Sequence, residues 1–107
     1  MTESQFLLVV EDTLTRIEES IEAAALPADC SLSGHVLSIE LDDGSRIIVN
    51  AQTPTRQLWL AARSGGMHFV HDGHAWHDLR SGEEFFACLS RALSEQAGTQ
   101  VRLRAAD

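Results

Sequence analysis

Two Asp-Gly steps, Asp43-Gly44 and Asp72-Gly73, each stand between short runs in which apolar and polar residues alternate. An Asp-Gly step supplies the positive φ that a tight hairpin turn demands, so each marks two strands joined directly. Val36 to Leu41 and Arg46 to Asn50 flank the first step, and Met67 to His71 and His74 to His77 flank the second. Between the hairpins, Gln57 to Arg63 reads as a further strand that turns back at Ser64-Gly65-Gly66. Direct hairpins exclude the crossovers that a parallel sheet requires. The expected sheet is therefore an antiparallel meander.

A helical pattern lies on either side of it. From Ser4 to Ala25, with Ser4 as N-cap, the residues Phe6, Val10, Leu14, Ile17 and Ile21 recur at the spacing of one helix face. Pro27 marks the end of this helix. A second helix is expected from about Gly82 to Gln96, with Phe85, Phe86, Leu89 and Leu93 on its apolar side and Gly98 just beyond it. The tail Val101-Arg102-Leu103 reads as a last short strand. The fold class is α+β, with both helices on one face of the sheet. The other face is then open, and apolar residues on it call for a partner. The length fits one domain over residues 1–107.

Charge narrows the function classes. The eight basic residues are all arginine, and the formal net charge is −8. Through Asp43 there are ten acidic residues against Arg16 alone; from Gly44 on, six acidic residues face seven arginines. So acidic a segment repels nucleic acid and anionic membrane, and attracts cations or a basic protein. No apolar run approaches the ~20 residues of a membrane span. The start Met1-Thr2-Glu3-Ser4-Gln5 carries no positive charge and so lacks the basic flank of a secretory signal. Cys30 and Cys88 are accordingly expected as reduced thiols in a cytoplasmic protein.

Three constellations carry chemistry. On the first helix, Glu11, Glu18 and Glu22 form a stripe with Asp12 and Glu19 beside it. Carboxylates spaced by helical turns can share a hard cation loosely, without a closed cage; the alternative is a solvated helix face. In the meander, alternation turns Asn50 and Gln52 away from the helices, and Trp59 likewise against Leu58 and Leu60. An outward tryptophan beside amides suits a binding surface; the alternative is a tryptophan packed by its own sheet neighbours. Around Asp72-Gly73, a two-residue turn would pair His71 with His74 and His68 with His77, which could chelate a divalent metal or offer a haem ligand. The alternative is ordinary polarity on a hairpin. No nucleophile stands with an oriented base, and no phosphate loop is present, so an enzyme is not expected.

The run Ile47-Ile48-Val49-Asn50-Ala51-Gln52-Thr53-Pro54-Thr55-Arg56-Gln57-Leu58-Trp59-Leu60-Ala61 carries Asn-x-Gln-x-Pro followed by Gln-x-Trp-Leu. With Ser64-Gly65-Gly66-Met67-His68-Phe69, Trp76, Arg80-Ser81-Gly82-Glu83 and the upstream Ile17-Glu18-Glu19, it resembles the bacterial frataxins over about residues 4 to 104. The resemblance implies a two-layer α–β sandwich, with the N- and C-terminal helices on one face of an antiparallel sheet. It implies weak binding of ferrous or ferric iron by acidic residues of the first helix and first-strand edge, here Glu11, Asp12, Glu18, Glu19, Glu22 and Asp29. It further implies contact with a cysteine desulfurase and the iron–sulfur scaffold protein through a surface holding Asn50, Gln52 and Trp59, and regulation of cluster assembly. A monomer is expected, with oligomerisation on iron as the alternative. The family's acidic stretch continues past the first helix, whereas here Ala23 to Ala28 separate Glu22 from Asp29.

Overall fold

In the structure, a computed structural model that describes residues 1–104, Thr2 rather than Ser4 starts the first helix. Residues 105–107 of the expected domain lie outside the described residues. Thr2 Oγ1 accepts from Gln5 N at 3.1 Å, and Gln5 Oε1 accepts from Thr2 N at 2.9 Å. This reciprocal box satisfies two amides at once, which a lone Ser4 cap cannot do. Helix α1 runs Glu3–Ala23 and ends in a Schellman turn. There Ala25 N–H donates to Glu22 O and Leu26 N–H to Ile21 O, with Ala25 left-handed at φ 54°. Phe6, Val10, Leu14, Ile17 and Ile21 are all buried, as their spacing predicts.

Six strands follow in chain order: β1 (Ala28–Ser33), β2 (Val36–Leu41), β3 (Arg46–Gln52), β4 (Gln57–Ala62), β5 (Gly65–His71) and β6 (Trp76–Asp78). They form one antiparallel sheet in that same order, with a 3-10 turn at Thr53–Thr55 between β3 and β4. β1 is an addition to the expected meander. Its sequence Ala-Asp-Cys-Ser-Leu-Ser lacks the β-branched residues that advertise a strand. Asp43-Gly44 closes the β2–β3 turn as expected, with Leu41 N–H donating to Ser45 O.

Helix α2 (Phe85–Ala97) is capped by Glu84, whose carboxylate accepts from Phe86 N and Ala87 N, and is closed by left-handed Gly98. The tail is not a strand. Val101 N–H donates to Ser94 Oγ and Leu103 N–H to Ser90 Oγ, both at 2.8 Å. Two serines one turn apart on α2 thus replace a strand as the partner of the tail, and Val101 and Leu103 are buried.

Both helices contribute to a single core with the inner sheet residues Leu37, Ile39, Ile47, Val49, Leu58, Leu60 and Phe69. Each such aliphatic side chain contributes about 1.5–3 kcal/mol by leaving water. Trp76 locks the layers together: its Nε1–H donates to Thr13 Oγ1 at 2.9 Å, and Thr13 donates onward to Val9 O. The expected α–β sandwich is therefore the observed one.

Candidate functional site

The strand register sets the outer face row by row. Asn50 lies directly opposite Trp59, and Trp59 opposite His68. Val36 extends this row on one side through its pairing with Asn50. The neighbouring row pairs Gln52 with Gln57, and Val70 with His77. Because Leu58 and Leu60 are buried, Trp59 must point away from the helices. Asn50, Gln52 and Trp59, separate in sequence, thus share one surface. Trp59 is half-buried there, stacked on His68 at a centroid distance of 4.2 Å. Its Nε1–H donates to Gln57 Oε1 at 2.7 Å. His68 and Gln57 are the members of this surface whose roles sequence reasoning missed. The available signal was parity: Gln57 and Trp59 are two apart in one strand and share a face.

One end of that face carries a cluster of charge. Asp29 stands opposite Glu40, and Glu40 opposite Arg46. Asp43 at the same end accepts from Ser45 and pairs with Arg63 at 3.0 Å; the Ser45 hydrogen bonds, then Arg63, hold its carboxyl at about 2.

The acidic stripe of α1 runs beside β1. Glu11 Oε2 meets His35 Nε2 at 3.1 Å in the β1–β2 turn. Further along, burial first and then the Glu18 and Asp29 carboxylates push the half-buried Cys30 thiol up. Glu18 and Glu11, two turns apart, therefore face β1 and the turn that follows it. Asp12 is drawn aside by Arg16 at 2.8 Å, an i,i+4 pair that the sequence contains but the stripe reading left out. Glu19 and Glu22 are exposed on the same helix, while Asp29 projects from β1 toward Glu40 on the sheet's outer side. Among the described residues no three His, Cys, Asp or Glu groups converge closely enough to hold a metal ion. The oxygen donors suit a hard cation, and their spread suits loose, exchanging occupancy rather than a closed centre.

The histidine pairs differ from expectation. Asp72 to Ala75 make a four-residue loop, so that His71 pairs with Trp76 and Val70 with His77. His71–His74 and His68–His77 are therefore not cross-strand pairs. The reason is Asp72 itself. Its carboxylate accepts from His74 N and Ala75 N and bonds His77 Nε2 at 2.9 Å, which builds a wider turn than two residues. Those backbone amides chiefly hold Asp72 at about 2. His71 faces the helix side against Trp76, and burial lowers its pKa. Cys88 is buried beside Glu83; burial, then Glu83, pushes its thiol up to about 11, far from a reactive thiolate.

The chain matches the family model described as a frataxin-like domain over residues 1–99 and belongs to the frataxin family. Within it, the chain is 49% identical over 112 aligned positions to the iron-sulfur cluster assembly protein CyaY of Janthinobacterium sp. (strain Marseille), with 100% of each chain covered. It is 47% identical to the iron-sulfur cluster assembly protein CyaY of Ralstonia nicotianae, covering 96% of this chain and 95% of the other. Its fold matches the frataxin from Psychromonas ingrahamii with a TM-score of 0.91 at 32% identity over 100% of both chains. It also matches the trimeric frataxin from the yeast Saccharomyces cerevisiae, complexed with ferrous iron, with a TM-score of 0.68 at 26% identity, covering 92% of this chain and 88% of the other. Among the described residues no helix is long and apolar enough to cross a membrane.

Proposed function

We propose that the protein binds iron weakly and regulates iron–sulfur cluster assembly in the cytoplasm, as a single non-enzymatic domain. The observation that carries this reading is the carboxylate stripe of α1 running along β1, in a chain whose relatives are named for that assembly. Glu11, Asp12, Glu18, Glu19 and Glu22, with Asp29 across the edge, supply the hard oxygen donors for ferrous or ferric iron. The same negative field attracts a basic surface of the cysteine desulfurase. Asn50, Gln52 and Trp59 on the outer rows contact the desulfurase and the scaffold protein, with Trp59 as the anchor. The protein acts as a monomer, and iron drives any further association.

A second reading has its own support. Because no three candidate ligands converge among the described residues, the ridge also fits a pure docking module whose iron binding is incidental. A ferrous titration followed by amide and side-chain line broadening tests the first reading. Earliest broadening at Glu11, Glu18, Glu19 and Glu22 supports it, and earliest broadening between His68 and His77 overturns it. Desulfurase affinity measured with and without ferrous iron separates the two, since equal affinity selects the docking module.

A further inference from the structure

The two edges of the sheet are protected unequally. β6 is only three residues long, and its far side is bridged by Glu84 to His77. β1 pairs with β2 over six consecutive positions, without a bulge, and among the described residues has no strand on its other side. It contains no proline and no basic residue. Sheet edges left in this state invite another strand, and proteins ordinarily blunt them with lysine, proline or a bulge.

The hydrogen-bonding phase shows which groups are on offer. Ala51 N–H donates to His35 O and Leu41 N–H donates to Ser45 O. Odd-numbered residues of β2 therefore turn toward β3, and even-numbered ones toward β1. Opposite Val36, Ser38 and Glu40 stand Ser33, Ser31 and Asp29. By the same alternation, the N–H and C=O groups of Cys30 and Leu32 point out of the sheet.

The surroundings select the occupant. On the helix side, Glu18 lies near Cys30 and Glu11 near His35, so acid flanks the edge at its middle and at the turn that follows it. On the outer side the edge carries Asp29, Ser31 and Ser33. We propose that β1 accepts an extended basic segment of a partner protein as a seventh, β-paired strand, held by the Cys30 and Leu32 main chain and by arginine or lysine side chains that alternate toward Glu11 and Glu18. Main-chain pairing supplies the affinity, and the alternate cationic positions supply the selectivity. A second copy of this chain fits poorly, because its own β1 would bring the same acidic flank against this one. The inference rests on the reading of the ridge as a docking surface and adds to it the mode of docking.

The test uses the full-length protein and a decapeptide alternating arginine with threonine; its control alternates glutamate with threonine. The basic peptide is expected to bind and to slow hydrogen exchange of the Cys30 and Leu32 amides by about tenfold or more. The acidic peptide should do neither. Leu32→Pro removes an edge amide that makes no ladder bond, so it should abolish the protection while the core stays folded. If that variant unfolds, the exchange measurement on the unsubstituted protein decides alone. Peptide binding that shifts Glu11 and Glu18 but leaves both amides unprotected overturns strand addition and leaves the docking ridge standing. No binding overturns both. Equal binding of the two peptides, or protection that appears without peptide as the protein self-associates, overturns the proposal.

Discussion

The indole of Trp59 lies flat on the imidazole of His68, with the ring planes only 8° apart. Two neighbouring strands thereby fix the orientation of the most prominent aromatic residue on the outer face. A double-mutant cycle of Trp59→Ala and His68→Ala should give a coupling of about 0.5–1.5 kcal/mol in unfolding free energy. Trp59→Ala alone should cost less than the ~3–5 kcal/mol of a core tryptophan. It should weaken scaffold or desulfurase binding by about 2 kcal/mol, mainly through faster dissociation. Normal binding by a folded Trp59→Ala protein would remove this face from the mechanism.

Glu18 and Glu22 stand one helical turn apart, and like charges at that spacing destabilise a helix. Raised salt or millimolar divalent ions should increase the melting temperature, salt by screening and ions by binding the native state. Glu18→Gln with Glu22→Gln should stabilise the ion-free protein and shrink that increase. Thermal melts across an ion and salt series check this, and a flat series counts against it.

Ala25 occupies the left-handed position of the Schellman turn, where glycine is the usual residue. Ala25→Gly should raise stability, by up to about 1 kcal/mol, because the relief of the left-handed strain opposes the added freedom of the unfolded chain. Urea denaturation with an unchanged slope would read this directly.

Ser90 and Ser94 are the acceptors for the tail amides. Replacing either with alanine leaves a part-buried N–H without its partner, at a cost of roughly 1–3 kcal/mol. The first amides to lose exchange protection should be Val101 and Leu103. Loss spread evenly over the protein would mean that the tail is not held locally.

Asp72 has a folded pKa of about 2, set mainly by the Ala75 and His74 amides. A depressed carboxyl stabilises the fold above its unfolded pKa, and the contribution is lost as the pH falls through the folded value. Asp72→Asn should therefore be less stable than the parent near neutrality, with the gap closing as the pH drops from about 4 toward 2. Melts of the two proteins over that range give the comparison.

The architecture was legible wherever local chemistry and burial agree. The apolar spacing of α1 placed all five of its core aliphatic and aromatic residues correctly. Alternation likewise placed Asn50, Gln52 and Trp59 on one side, because the buried Leu58 and Leu60 fix the phase of β4. Long-range partners decided the rest. β1 is a strand because β2 offers it a ladder, and its own side chains say little. The tail looked like a strand because Val101 and Leu103 alternate around Arg102, yet their amides are taken by serines of α2. The second hairpin was misread because an aspartate can cap a wider loop as readily as it can begin a two-residue turn. The carboxylate stripe was visible at once. What it faces, a strand edge, was not, because nothing in a helix repeat names its neighbour.

The Trp76–Thr13 hydrogen bond spans 63 residues of chain. Every strand pairs with its neighbour in sequence and can form as soon as that neighbour exists. The first helix has no such local partner. On the ribosome it emerges before any of the sheet, and its apolar face, from Phe6 to Ile21, stays uncovered until the inner residues of β2 and β3 arrive and is closed only by Trp76 and α2. The newborn chain thus carries an incompletely covered apolar helix face until its last elements are made, and nascent-chain chaperones have the longest access to that helix.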